Sequence, residues 1–142
     1  QPRSTRFAST FYAIATSGGH QGLQRLAPTR EKADALLAQR LKEEPVRDAN
    51  DHLYQWESTR DYTAWAHLEK IKATVLAINA ADDERNPPEL GVMEKAMQRV
   101  PSARLFLIPA SDQTAGHSTT GQAKWWKNEI EALLKVAPRR TP

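Results

Sequence analysis

The sequence predicts an α/β fold in which strands of a parallel sheet, with covering helices, follow a helical region. Two short runs, 73–79 and 103–110, are largely apolar, as is typical of strands buried on both faces of a parallel sheet. Apolar residues recur at helical spacing in 89–100 and 122–136, which predicts two helices. Each predicted strand is therefore followed by a predicted helix. This β-α-β-α order predicts parallel strands. Because two strands do not form a stable parallel sheet alone, we expect further strands to complete it.

The helical region precedes the first predicted strand. Leucine and alanine recur at helical spacing between Thr29 and Pro45, which predicts a helix that ends where proline cannot continue it. Asp48 is the expected N-cap of a second helix. The run 7–15 is largely apolar, but it is too short for its periodicity to separate helix from strand.

Composition and charge argue against several classes of protein. Of the 142 residues, 39% are hydrophobic and 26% are charged, which is enough apolar content for a packed core. The net charge of +3 is small and acidic residues interleave with basic ones, so we expect no nucleic-acid partner. No apolar run has the length of a membrane helix, so we expect no membrane partner. The absence of cysteine removes disulfides, thiolate metal sites and cysteine nucleophiles.

Chemically competent side chains follow both predicted strands. Asp82 and Asp83 come directly after the first strand, and His117 stands in a glycine-containing loop after the second. Catalytic groups of open α/β sheets collect beyond the carboxyl ends of the strands. An acid followed by a histidine matches the last two members of a Ser-Asp-His triad in α/β-hydrolase order. Alternatively, the aspartates form a turn stabilised by the dipole of the next helix, and His117 is structural.

Three motifs carry a resemblance to a known family. They are the lead-in L-x-x-I-x-A-x-V-L, the D-x-x-x-P-P loop and the G-H pair after the last strand, all within 67–134. This part of the chain resembles the C-terminal part of the α/β-hydrolase superfamily, most closely its homoserine O-acetyltransferase-like branch. The resemblance implies that Asp83, the aspartate of D-x-x-x-P-P, is the triad acid and that His117 is the base.

The resemblance also implies a division of the chain. A helical cap (lid) would cover 1–66, the C-terminal strands and helices of the α/β-hydrolase core 67–136, and a basic proline-rich tail 137–142. The sequence shows no G-x-S-x-G nucleophile elbow and none of the first strands of such a fold. We therefore expect a companion N-terminal chain or segment that carries the serine nucleophile. The resemblance further implies a small-molecule acyl substrate, no cofactor and a homodimer formed through the cap.

Two enzyme activities fit this machinery, because an acyl-serine intermediate is resolved either by water or by an alcohol acceptor. Homoserine acetyltransferases carry an acidic residue just after the G-H pair, whereas this chain has Ser118. This departure favours an ester or amide hydrolase over an O-acetyltransferase. A third hypothesis is a non-catalytic interaction domain that retains the fold.

Ser17 has surroundings that partly match those of a nucleophile. It stands in A-x-S-x-G, after an apolar run and ahead of Asp83 and His117. The pattern departs from G-x-S-x-G, and too little chain precedes it to supply the strands that flank an elbow. We instead expect a cap helix over 5–16 that ends at Gly18 and Gly19.

The remaining polar and aromatic candidates have structural interpretations. His20, His52 and His67 share no spacing typical of metal ligands, so we expect no metal site. Asp112 precedes His117 by five residues and is expected to cap its loop rather than to act as a second acid. Four aromatic residues are expected to pack cap helices against the core rather than to line an acyl pocket. They are Tyr54, Trp56, Tyr62 and Trp65.

Overall fold

The computed structural model describes residues 3–16, 18–43 and 48–138. Within these residues the first half of the chain is helical, and a parallel pair of strands with further helices follows. The α-helices are α1 (Arg3–Ala15), α2 (His20–Leu26), α3 (Arg30–Lys42), α4 (Ala49–Glu57), α5 (Val92–Gln98) and α6 (Lys127–Val136). The strands are β1 (Val75–Ala80) and β2 (Ala103–Ile108). Short 3₁₀ helices cover Trp65–Lys70, Pro88–Leu90, Gly116–Gly121 and Ala123–Trp125.

The strands β1 and β2 pair in parallel, as the sequence predicts. Their register runs from Val75 opposite Ala103 to Ala80 opposite Ile108. Because the strands end side by side, the segments that follow them leave from the same edge of the sheet. We name these segments the acid loop, residues 81–87, and the histidine loop, residues 109–121. The α/β class is confirmed, and the α/β-hydrolase fold itself stays a prediction.

A small apolar core fixes the amino-terminal ends of the strands. Leu68, Ala96 and Val100 form its buried centre, and Ile71 and Val75 pack against it. Three of these five side chains belong to the lead-in motif, two of them before β1 and Val75 as its first residue, and the other two come from α5 and the turn that follows it. The lead-in motif is therefore apolar because it packs the chain before β1 against α5.

An ion pair adds to this contact between the lead-in and α5. The Arg99 guanidinium donates to the Glu69 carboxylate at 2.6 Å. A backbone hydrogen bond and the Arg99 side chain hold the pKa of the Glu69 carboxyl below its ordinary value. On the other side of the sheet, Arg104 of β2 donates to Glu129 of α6 at 2.6 Å. Both pairs are partly exposed, so they contribute little to stability and serve mainly to orient the helices.

The helix predicted over 89–100 is interrupted, and that expectation was wrong in extent. Gly91 has φ 63°, a left-handed conformation that separates the 3₁₀ helix Pro88–Leu90 from α5. Apolar spacing continues across this glycine, so periodicity alone does not register the break. The last helix is also shorter than predicted, because α6 begins at Lys127 rather than at residue 122.

The ambiguous run 7–15 is helical and lies within α1. This helix ends at Ala15, one residue before the predicted end. Gly19 follows with φ 68° and precedes α2, as expected for a break between helices. Pro45, the predicted end of α3, lies outside the described residues, and α3 ends at Lys42.

The helical half, which comprises the described residues of 3–57, is held by polar contacts as well as by packing. The Thr10 hydroxyl is buried and donates to the Arg40 carbonyl at 3.2 Å, which joins α1 to α3. Asp48 accepts from the Asn50 backbone N–H at 2.8 Å and is confirmed as the N-cap of α4. Over the described residues, no helix combines the length and apolar character needed to cross a membrane.

We predict that the buried end of β2 contributes strongly to stability. Ile108 is 1% exposed, so Ile108→Ala leaves a cavity and should lower the free energy of unfolding by about 2–5 kcal/mol. Leu134 on α6 is 65% exposed, so the matched variant Leu134→Ala should stay within about 0.5 kcal/mol of the parent. Urea unfolding of both variants measures the difference. Equal effects would contradict the placement of Ile108 in the core.

Candidate active site

The structure brings the two predicted site residues into direct contact. Asp83 and His117 are 34 positions apart, yet the imidazole Nδ1 atom lies 3.0 Å from Oδ2 and 3.1 Å from Oδ1 of the carboxylate. The Asp83 side chain is 3% exposed and that of His117 is 42% exposed. A carboxylate only accepts hydrogen bonds, so it selects the tautomer that carries the proton on Nδ1. The lone pair of Nε2 is then available to take a proton from another group.

The acid loop is wound tightly around the Asp83 carboxylate. Oδ1 of Asp83 accepts from the backbone N–H groups of Arg85 at 2.8 Å and Asn86 at 3.2 Å. Asn79, at the end of β1 and 3% exposed, donates from its side chain to the Asn86 carbonyl at 2.8 Å. The turn interpretation and the triad interpretation of this aspartate are thus compatible. The same turn that satisfies Oδ1 also aims the carboxylate at His117.

Asp82 makes different contacts from its neighbour. Its Oδ2 atom accepts from the Thr114 hydroxyl at 2.8 Å and from the Gly116 backbone N–H at 3.1 Å. Thr114 is fully buried, and its hydroxyl also accepts from the Ser111 backbone N–H at 2.9 Å. The two adjacent aspartates of the acid loop therefore both bind the histidine loop, one through the imidazole and one through the backbone and a hydroxyl.

Two glycines let the helical half approach the histidine loop. Gly116 has φ 52° and Gly19 has φ 68°, so both adopt backbone conformations that strain other residues. A Cβ on Gly19 would lie 2.7 Å from the Gly116 backbone nitrogen and 2.8 Å from Oδ2 of Asp82. A Cβ on Gly116 would meet the Glu84 carboxylate and would lie 2.5 Å from the Gly19 nitrogen. The two backbones thus meet directly beside the Asp82 carboxylate.

Two arginines join the helical half to both loops. Arg25 of α2 donates to the Thr114 carbonyl at 3.3 Å. Arg85 of the acid loop donates from Nε to the Thr16 carbonyl at 3.0 Å, and its guanidinium lies 5.7 Å from the centre of the Tyr12 ring. These contacts place α1 and α2 next to the Asp83–His117 pair, on the side of the loops rather than of the strands.

The expectation that the aromatic residues pack against the core was wrong. Trp56 is 54% exposed and Trp65 is 44% exposed, while Tyr54 and Tyr62 are exposed to 70% and 76%. Trp56 packs on the Tyr12 ring at 5.8 Å, and Trp65 packs on the Arg99 guanidinium at 5.0 Å. Both tryptophans therefore contact side chains outside the buried core, and Trp56 also lies 6.3 Å from the His52 ring.

The structure bears on some of the other sequence candidates. Ser17 lies outside the described residues. Asp112 is exposed, and the acid that the His117 imidazole contacts is Asp83. Among residues 3–16, 18–43 and 48–138, no three histidine, aspartate or glutamate side chains are grouped so as to hold a metal ion.

No protein-family profile, curated protein or solved structure matches this chain. The family resemblance, the activity and the companion segment therefore stay predictions.

Sequence reasoning missed Asn79 and Thr114, and it named Asp82 and Gly19 without their supporting contacts. Asn79 is the polar residue in an otherwise apolar strand, and this irregularity is the signal that could have marked it. Asp82 and Thr114 gave a weaker signal, since short polar residues are common in loops. Gly19 stood out only as a helix break, and its contact with Gly116 depends on the packing of α1 and α2.

We predict that Gly116 tolerates no side chain. Gly116→Ala combines a left-handed backbone with close contacts to Gly19 and Glu84, so it should destabilise the protein by at least about 1–2 kcal/mol. Gly121 ends the same 3₁₀ helix and has open space around its Cβ position, so Gly121→Ala is the matched control and should be nearly neutral. Urea unfolding measures both. A neutral Gly116→Ala would contradict the close approach of the two backbones.

Proposed function

We propose that this chain supplies the acid and the base of a serine-dependent acyl-transfer reaction, and that the reaction is hydrolysis of an ester or amide. The observation that carries the proposal is the contact of His117 Nδ1 with both oxygens of the buried Asp83 carboxylate. This contact leaves the exposed side of the imidazole for a nucleophile. The Asp83–His117 pair also lies at the carboxyl ends of two parallel strands, where α/β enzymes place their catalytic groups.

The proposed reaction uses His117 twice. First, Nε2 takes the proton of a serine hydroxyl while the serine oxygen bonds to the acyl carbon of the substrate. Next, the imidazolium returns this proton to the leaving alcohol or amine as the bond to the acyl carbon breaks. A water molecule then repeats the sequence and releases the acid and the free serine. In each step Asp83 holds the ring by its Nδ1 proton and stabilises the positive charge.

The nucleophile is proposed to come from a companion N-terminal chain or segment. The parallel sheet supports this part of the proposal. Within the described residues it has two strands, and parallel sheets in α/β proteins have more strands and are covered on both faces. A strand added beside β1 would carry its own carboxyl end to the same edge, next to the acid loop. A serine placed there would face Nε2 of His117.

We predict that loss of either member of the pair abolishes hydrolysis. Asp83→Asn removes the charge that orients and stabilises the ring, and His117→Ala removes the base. Each should lower the turnover of an acetyl ester by on the order of 10⁴-fold in the complete native protein. His67 is exposed and lies outside both loops, so His67→Ala is the matched control and should keep full activity.

The same assay separates the alternatives. Acetate release that does not depend on an added alcohol supports a hydrolase, while formation of O-acetylhomoserine in place of free acetate when homoserine is added supports an O-acetyltransferase. Unchanged function in Asp83→Asn and His117→Ala would contradict catalysis and support a non-catalytic interaction domain. Circular dichroism of each variant checks that the fold is retained.

We predict that a fluorophosphonate labels a serine of the companion segment. The serine oxygen displaces fluoride from phosphorus, and the modified residue is identified by mass spectrometry of the complete protein. Labelling should fall sharply in His117→Ala, because the base that activates the serine is gone. A label on Ser17 would contradict the companion segment, and a label that does not depend on His117 would contradict the proposed pair.

A further inference from the structure

We infer that Asp82 is a positioning residue that holds the histidine loop in the conformation that presents His117 to Asp83. The effect on catalysis rests on the proposed function. The effect on the position of the His117 imidazole does not. Two adjacent aspartates then have separate tasks. Asp83 binds the ring, and Asp82 binds the backbone from which the ring extends.

The hydrogen bonds of Asp82 lie directly before His117 in the histidine loop. Its Oδ2 atom accepts from the backbone N–H of Gly116, the residue before His117, at 3.1 Å. The same atom accepts from the Thr114 hydroxyl at 2.8 Å. The two donors therefore fix the backbone on both sides of Ala115. Little freedom remains for the residue that follows Gly116.

Burial makes these hydrogen bonds costly to lose. Gly116 and Thr119 are buried and Thr114 is fully buried, so water does not readily replace the carboxylate as an acceptor. Gly19 of the helical half packs against the Gly116 nitrogen and Asp82 Oδ2, and so covers this hydrogen bond from the other side. Without Asp82, the Gly116 N–H would be left unpaired or the loop would move to satisfy it. A movement of about 1 Å costs about 10²-fold in rate at a catalytic group.

Only one of the two carboxylate oxygens of Asp82 accepts hydrogen bonds from the histidine loop, so asparagine is an informative conservative substitution. Oδ2 accepts both hydrogen bonds, whereas Oδ1 is buried with no hydrogen-bond partner among the described residues. In Asp82→Asn the amide oxygen can take the place of Oδ2 and keep both bonds. In Asp82→Ala both are lost. If the role is to accept hydrogen bonds, asparagine should rescue what alanine removes.

The test uses nuclear magnetic resonance of ¹⁵N-labelled histidine, without substrate. The resonance of the His117 Nδ1 proton, assigned by its loss in His117→Ala, reports the hydrogen bond to Asp83. In Asp82→Ala we expect this proton to exchange with water at least about tenfold faster than in the parent. Asp82→Asn should match the parent. Asp112 is an exposed aspartate of the histidine loop, so Asp112→Ala is the control and should also match the parent.

A kinetic measurement in the complete native protein adds the catalytic consequence. Asp82→Ala should lower kcat by about 10²-fold, because the misplaced base acts in the transition state. KM should change by less than about twofold, since the hydrogen bonds of Asp82 Oδ2 are made to the histidine loop itself and the proposed role is to position the base. Should Asp82→Ala not fold, Thr114→Val replaces it. This variant keeps the side-chain shape and removes one of the two donors to Asp82, together with the hydrogen bonds of the hydroxyl to Ser111. It should show an effect in the same direction.

Each outcome decides the inference. Unchanged proton exchange in Asp82→Ala would overturn it, as would an Asp82→Asn variant that behaves like the alanine variant, because charge rather than geometry would then be responsible. Failure of the proposed function is seen elsewhere, as activity that survives His117→Ala. In that case the resonance of His117 still shows whether Asp82 positions the ring.

Discussion

The parallel pairing of β1 and β2 is the constraint on which the candidate site depends. It places the ends of the strands, Ala80 and Ile108, opposite each other and so brings the two following loops to the same edge. A slip of one residue in this register would move one loop along the other by about 3.3 Å. Hydrogen bonds of 2.8–3.1 Å between Asp82, Asp83 and the histidine loop would not survive such a slip. The site is therefore as well defined as the register.

The site itself is assembled from backbone and polar groups, with little apolar packing. Asp83 accepts from its own turn and from His117, while Asp82 accepts from Thr114 and Gly116. Gly19 and Gly116 make this possible, because a side chain on either would hold the two backbones apart. One apolar cluster, around Leu68 and Val100, lies at the opposite ends of the strands. Ala80 and Ile108 are buried at the same end as the loops, so the candidate site stands on buried strand ends and is itself held by polar contacts.

The helical half contributes to the loops as well as to its own folding. The Thr16 carbonyl accepts from Arg85 of the acid loop, and Arg25 donates to the histidine loop. Gly19 completes this set of contacts against Gly116. The segment that was interpreted as a cap from its likeness to a family therefore has a physical connection to the proposed acid and base. Its aromatic side chains remain largely at the surface, which leaves them outside the packed core.

The sequence by itself determined the class of the fold and the two parallel strands, and it predicted that the Asp82–Asp83 loop would lie beside the loop of His117, with Asp83 selected by the resemblance to a family. Apolar runs and polar strand ends are local patterns, and parallel strands place their carboxyl ends together whatever lies between them. Only the tertiary structure decided the break at Gly91, the exposure of Trp56 and the contacts of Asp82. A glycine's φ, the burial of a side chain and the partner of a loop carboxylate all depend on which distant residues pack nearby. Local spacing holds no information about those neighbours.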